Sequence, residues 1–331
     1  MKSPGAKESG FSMMRSIALC AVLAFASPAG ALELAPFVSP HGADHPLAGR
    51  IFDAAGAEVT PEALSRRVKG ARFLVLGETH SNPDHHRLQA ALLAERAGAG
   101  DRPTVVFEMI PEGLQGALDA AIAAGSDAAA IGAAVDWETR GWPDFSIYRP
   151  IFEAALAAGL RIRAGDLDRE TMRRISKEGP ASLGAERERR LGLDRAMPEA
   201  DRAALSQELE ASHCGMLPTS AIPAMIGVQR ARDGALADAM IRAGGPAVLI
   251  AGSGHTRRDR AVPAILQALA PGAEVVSVAF VEVSEGEASP APEVLGLSDV
   301  TVYTPRFDVS DPCEGMKGGE GMTSTAPQPA K

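Results

Sequence analysis

Leu74-Val75-Leu76-Gly77-Glu78-Thr79-His80 and Leu249-Ile250-Ala251-Gly252-Ser253-Gly254-His255 decide how this chain is read. Each is a short, unbroken apolar run that ends in Gly-x-x-His. A strand apolar on both faces belongs in a sheet covered on both sides, and such sheets are parallel, with helices above and below. Similar runs lie around these two. Thr104-Val105-Val106-Phe107 ends in Glu108, Leu160-Arg161-Ile162-Arg163-Ala164 reads as a third strand, and Val275 to Val283 as a fifth. Between them lie helical stretches: Leu88, Ala91, Leu92 and Glu95; an Ala-rich run to Ala124; and Ala261 to Ala270. The expected fold is α/β, a mostly parallel sheet flanked by helices.

The segment between the third and fourth strands departs from this alternation. About residues 184–245 show no strand pattern, and Arg187 to Leu193, Asp201 to Ser212 and Ala221 to Ala243 read as helices, a helical insertion. Residues 32–70 read as loop-rich, and after Val283 the composition turns to Ser, Pro, Gly and Glu. The expected organisation is a signal peptide over 1–31, one α/β domain over 32–310 and a disordered tail over 311–331.

Composition narrows the classes. In 331 residues, 46 % are apolar, enough for a large core, and the formal net charge of −9 argues against a nucleic-acid partner. Aromatic residues make up 4 %, too few for a stacking platform for single strands.

The N-terminal residues read as an export signal. Arg15 precedes the apolar run Ile17 to Ala26, Ser27-Pro28 breaks it, and Ala29-Gly30-Ala31 supplies a small-x-small cleavage site. The run is too short to span a hydrocarbon core of about 30 Å. The expected location is therefore the periplasm. Lipidation at Cys20 is disfavoured, because bulky Leu19 precedes it and it lies inside the apolar run. Cleavage leaves Cys214 and Cys313, an even pair in an oxidising compartment, to be read as one disulfide or as two separate thiols.

The chemistry is expected at the carboxyl ends of the strands, where parallel sheets bind their ligands. Glycine there lets the backbone turn, and two histidines at matching positions can converge on a metal, a haem or a substrate. Glu78 stands two residues before His80, and Glu108 ends the next strand. Carboxylates beside histidines suit a metal centre (His80, His255 and Glu108) or a hydrolytic site with Glu78, His80 and Glu108 as its catalytic groups. His85 and His86 read as an exposed first turn of a helix. Other motifs fail: Arg257 stands where a dinucleotide fingerprint needs its third glycine, Ser253 lacks the spacing of a nucleophile elbow, and no Cys-x-x-Cys-His occurs.

Gly77-Glu78-Thr79-His80 with His86 and Gln89 resembles the ChaN-like haem-binding uptake family of the Tiki superfamily. So do Phe107-Glu108-Met109, Trp142-Pro143 with Tyr148-Arg149-Pro150, His213-Cys214-Gly215-Met216-Leu217-Pro218, Gln229 with Asp233, and Gly252 to His255. The resemblance implies an exported protein that binds haem non-covalently, as a homodimer holding two haems face to face, and that serves an outer-membrane haem or iron transport system. It implies a tyrosine on the iron, for which Tyr148 is the favoured candidate over Tyr303, and basic or histidine side chains on the propionates. Glu78, His80, His213, His255 and Arg258 are the expected companions of Tyr148, with Arg257 beside Arg258. The wider superfamily includes metal-dependent proteases and erythromycin esterases, so a divalent-metal hydrolase is the alternative.

Overall fold

The computed structural model describes residue 1, residues 32–311 and residues 313–314. The expected signal peptide and most of the expected tail lie outside the described residues.

Five apolar runs become the parallel strands β2 (Phe73–Glu78), β3 (Thr104–Pro111), β4 (Ile162–Asp166), β5 (Ala247–Gly252) and β6 (Val275–Glu282). Two further strands, β1 (Ile51–Asp53) and β7 (Val300–Thr304), complete a sheet of order β1-β7-β6-β2-β5-β3-β4, in which only the β1–β7 pair is antiparallel. Sequence reading missed these two. β1 is three residues long, too short to display a period, and β7 sits behind a Ser/Pro/Gly/Glu stretch with threonine at two of its five positions. The sheet neighbours, not the local pattern, bury β7 throughout.

Helices α1 (Pro61–Gly70), α2 (Pro83–Gly98), α3 (Gln115–Ala123), α4 (Ala128–Ala134) and α5 (Phe145–Ala157) precede β4. Between β4 and β5 come α6 (Arg169–Glu178), α7 (Ala185–Arg190), α8 (Glu199–Ser212) and α9 (Ile222–Ile241), and α10 (Val262–Leu269) precedes β6. The alternation along β2 divides the core. Leu74 and Leu76 face one layer with Leu88 and Leu92 of α2 and Ile151 and Phe152 of α5. Phe73 and Val75 face the other with Leu236 and Met240 of α9 and Leu266 of α10. So α9 extends from the helical segment onto the sheet, whereas α8 packs on α9 in a separate cluster around Leu205, Leu209 and Ile226.

Two local features set the carboxyl edge. Asn82 caps α2 by accepting from Asp84 N (2.9 Å) and donates its own amide to Glu282 Oε1 (2.7 Å) and Pro305 O (2.9 Å). That fixes the start of α2 against the ends of β6 and β7. Cys214, after α8, is disulfide-bonded to Cys313, with the two Cα atoms 5.6 Å apart. The bond ties the chain beyond β7 to the loop after α8.

Candidate functional site

β2 and β5 are adjacent and parallel, with Gly77 opposite Ala251 and Glu78 opposite Gly252. The two Gly-x-x-His loops therefore leave the sheet side by side. Neither glycine has a positive φ, so turning is not what requires them. A β-carbon on Gly77 would lie 2.2 Å from Thr256 Oγ1, and one on Gly252 would lie 2.8 Å from His80 Nε2. Close approach of the two loops is the reason for glycine.

Glu78 ends β2 with its side chain buried. Tyr148, one turn into α5, donates its hydroxyl to Glu78 Oε1 at 2.7 Å, and His80 Nδ1 lies 3.0 Å from the same oxygen. His86 Nδ1 is 3.0 Å from Glu78 Oε2 as an ion pair, off the axis of a good hydrogen bond, which leaves that oxygen without a hydrogen-bond partner. His86 Nδ1 also meets Gln89 Oε1 at 3.1 Å, and its Nε2 meets the His80 carbonyl at 3.0 Å. Gln89 donates to Leu76 O, so its Oε1 faces the ring. Both nitrogens of His86 thus face acceptors, which favours the imidazolium. Burial opposes that charge, but Glu78 raises the His86 pKa beyond it. Burial likewise opposes the charge of Glu78, but the His86 cation and the His80 hydrogen bond hold its carboxyl well below the usual range.

His85 behaves in the opposite way. Its Nδ1 accepts from Thr79 N at 2.9 Å, its Nε2 meets Thr304 Oγ1 at 2.8 Å, and burial pushes its pKa down to about 3. It is a neutral peg between the β2 loop and β7. The expectation of an exposed first turn is corrected: His85 and His86 are both fully buried, because the cap of α2 turns that end into the sheet edge.

A second cluster surrounds Glu108. Its Oε2 accepts from Gly252 N at 2.7 Å; its Oε1 takes Arg232 of α9 at 2.7 Å and faces His255 Nε2 at 3.3 Å. Arg232 also bonds Asp166 Oδ2, at the end of β4, at 2.6 Å. His255 Nδ1 lies 2.6 Å from Asp233 Oδ1. Burial works against the His255 cation, but Glu108 and Asp233 raise its pKa to about 10. Burial works against the Glu108 charge too, and His255 and His80 hold it well below the usual carboxylate range.

The structure thus brings together Glu78, His80, Glu108, His255 and Tyr148. It does not bring in Arg258, which pairs with Asp299 Oδ1 at 3.3 Å ahead of β7, or His213, whose Nδ1 lies 2.7 Å from Leu209 O at the end of α8. Arg257 is committed to Asp259 at 2.6 Å. The described residues give the metal reading no support. Among the described residues no group of three or more His, Cys, Asp or Glu side chains could hold an ion. The reason is that Glu108 is taken up by Arg232 and Gly252, and His255 by Asp233. Sequence reading passed over Arg232 and Asp166, and quoted Gln229 and Asp233 without a role. Gln229, Arg232 and Asp233 fall at i, i+3 and i+4 of α9, one helix face, which was the available signal.

Residues 64–266 match the family described as haem-binding uptake, Tiki superfamily, ChaN. The chain belongs to the ChaN family. Among solved structures, this ChaN-family chain is similar to the one described as cofacial heme binding to ChaN of Campylobacter jejuni. Identity is 20 %, the TM-score is 0.61, and the match covers 76 % of this chain and 95 % of that one. That likeness shows a shared fold. Weaker likenesses are to the type III effector HopBA1 (12 % identity, TM-score 0.43, 73 % and 92 % covered) and an erythromycin esterase EreC mutant in its open conformation (15 %, 0.38, 74 % and 78 %). No curated protein matches the chain.

Within this ChaN-family chain both tyrosines are buried. Tyr148 is fully buried, packed at 3.8 Å between ring centroids on His86 and at 4.7 Å on Trp137. Burial and the Glu78 carboxylate raise its pKa well above the usual phenol value. Tyr303 is buried in β7 against Phe52. In this structure the Tyr148 hydroxyl is bonded to Glu78 and positions that carboxylate.

Proposed function

We propose that this ChaN-family protein is exported and binds haem non-covalently at the carboxyl edge of its sheet, with His80 as the iron ligand. One observation carries the reading. His80 is the open member of the cluster, its side chain 17 % exposed where Glu78 is wholly covered, and it alone holds an uncommitted ring nitrogen. Its Nδ1 stands between Glu78 Oε1, which only accepts, and the Tyr148 hydroxyl, whose proton goes to the same carboxylate. In the neutral ring the proton therefore sits on Nδ1, and the lone pair falls to Nε2. A carboxylate behind an imidazole is the arrangement that orients a metal-binding histidine. Glu108 Oε2, at 3.9 Å from Nε2, is beyond hydrogen-bond reach, and Gly252 packs on the same nitrogen so closely that a β-carbon would come within 2.8 Å of it.

The surroundings fit a porphyrin. Trp142 meets the His80 ring edge-on at 5.0 Å between centroids. Arg140, two residues earlier, has a buried Nη1 with no hydrogen-bond partner, and the charges that act on it include Asp166. It would take the propionate charge that Arg258, paired with Asp299, is placed to leave. Bound haem supplies a redox-active iron; the chain's own groups fix the His80 proton, exclude water from Glu78 and Glu108, and set the charge at the mouth.

The two carboxylates favour this reading over hydrolysis. A general base works best with a pKa near the working pH, and both are held ionised far below it by cationic neighbours. The reading extends to a periplasmic protein, since the basic, apolar, small-residue order of 15–31 reads as an export signal. It extends further to a homodimer that serves an outer-membrane haem or iron transport system, a reading that starts from the cofacial haem binding described for the Campylobacter protein and the uptake named in the family description. Hemin titration of the purified chain, with light scattering and mass spectrometry of the N-terminus of the exported form, tests haem binding, dimerisation and cleavage. A saturable Soret band, a dimer mass with haem and cleavage near Ala31 are expected; the absence of a saturable band overturns the haem assignment.

A further inference from the structure

β4 is the last strand of the sheet, and its outer side is not bare. A cavity of about 320 Å³ lies along it, walled by Arg163 of β4, Arg187 and Arg190 of α7, Arg242 of α9, and the acids Glu112 and Asp238. The charges there do not close. Arg187 pairs with Glu112, and Asp238 is shared by Arg190 at 3.2 Å and Arg242 at 3.7 Å. Arg163 takes part in no ion pair or side-chain hydrogen bond among the described residues; the charges that act on it are Arg242 and Arg161 on one side and Asp238 and Asp119 on the other. Arg187 adds a second open donor, since its Nε is buried and unpartnered. The remaining acid in the wall, Asp168, accepts from Gly113 N at 3.1 Å.

We propose that this cavity at the β4 edge is a binding site for a small oxyanion, a phosphate or carboxylate group, held by Arg163 and by Arg187 Nε. Two planar guanidinium groups facing one space offer the paired N–H donors that both oxyanions accept side by side. The volume is at the lower end of that found for small-ligand pockets. The wall of Ala164, Gly165 and Ala239 leaves room for the group itself. An anion supplies an acceptor for Arg163 and offsets its repulsion with Arg242. This site is separate from the Gly-x-x-His edge and stands whether or not haem binds there.

The test is calorimetric titration of the full chain with inorganic phosphate and with succinate at constant ionic strength, repeated on Arg163→Gln and on Arg66→Gln. Arg66 is exposed on α1 and makes the same change in net charge. Saturable binding of either anion, weakened at least tenfold by Arg163→Gln and unaltered by Arg66→Gln, supports the site, and the tighter of the two identifies the oxyanion. Arg163→Lys, which keeps the charge but loses the fork, is expected to restore binding only in part. An unchanged thermal unfolding transition shows that the variants are folded. No saturable binding of either anion, or equal weakening by both glutamine variants, overturns the proposal.

Discussion

His255 and Asp233 are joined by a 2.6 Å contact between Nδ1 and Oδ1, which locks the second Gly-x-x-His loop onto helix α9. The opposite ring nitrogen faces Glu108, so one imidazolium lies between two buried carboxylates. Replacing Asp233 by Asn leaves that cation half compensated. The expected cost is about 3 kcal/mol of unfolding free energy, in the range for breaking a buried ion pair. Urea denaturation measures it, and the His255 imidazole resonances should titrate at lower pH than in the parent.

Stability should peak near pH 6.5. His255, raised to about 10, stays protonated in the fold after the unfolded chain has lost that proton, so its contribution is lost as pH rises from about 6.5 through 10. His85, lowered to about 3, stays neutral in the fold while the unfolded chain protonates, so stability also falls as pH drops below 6.5. Glu78 and Glu108 add to the acid loss, and Asp233, raised by its burial, opposes it in part. Each group alone gives a slope of about 1.4 kcal/mol per pH unit inside its window. Thermal midpoints from pH 4 to 10 check the shape; a plateau through the alkaline arm would mean that His255 is not cationic.

Gly77→Ala puts a methyl 2.2 Å from Thr256 Oγ1, between the two loops. The expected loss is about 2 kcal/mol, the cost of overpacking a rigid site. Gly77→Ala with Thr256→Ser, which removes the neighbouring methyl, should not recover it, because the clash is with the hydroxyl. Thr256→Ala in the same background should.

The Cys214–Cys313 bond closes a loop with a sequence separation of 99. Chain entropy puts its contribution at about 4.7 kcal/mol for a loop of roughly 100 residues, with real bonds often giving less. Thiol counting on the unfolded, unreduced chain should find neither cysteine free, and reductant should lower the melting temperature.

The parallel sheet and the pairing of the two Gly-x-x-His loops were legible because buried strands write themselves as continuous apolar runs. Strands β1 and β7 were not, since three residues carry no period and Thr301 and Thr304 owe their burial to neighbours in the sheet. Glu78, His80, Glu108 and His255 could be picked out by their place at strand ends. Tyr148 could be named but its direction could not: whether a tyrosine one turn into a helix faces solvent or the core depends on how α5 lies on α2. Arg232 and Asp166 were hidden because Arg232 joins Glu108 and Asp166, both far from it in sequence.

The central claim, that haem sits on His80 and not on a tyrosine, is tested most directly by the Soret spectrum of hemin titrated into two variants of the oxidised full chain. Tyr148→Phe should keep the parent band and affinity, while losing about 1 kcal/mol of stability with the hydroxyl that bonds Glu78. His80→Ala should lose the band or shift it to that of weakly ligated hemin. A lost band in Tyr148→Phe beside an intact one in His80→Ala would contradict the account.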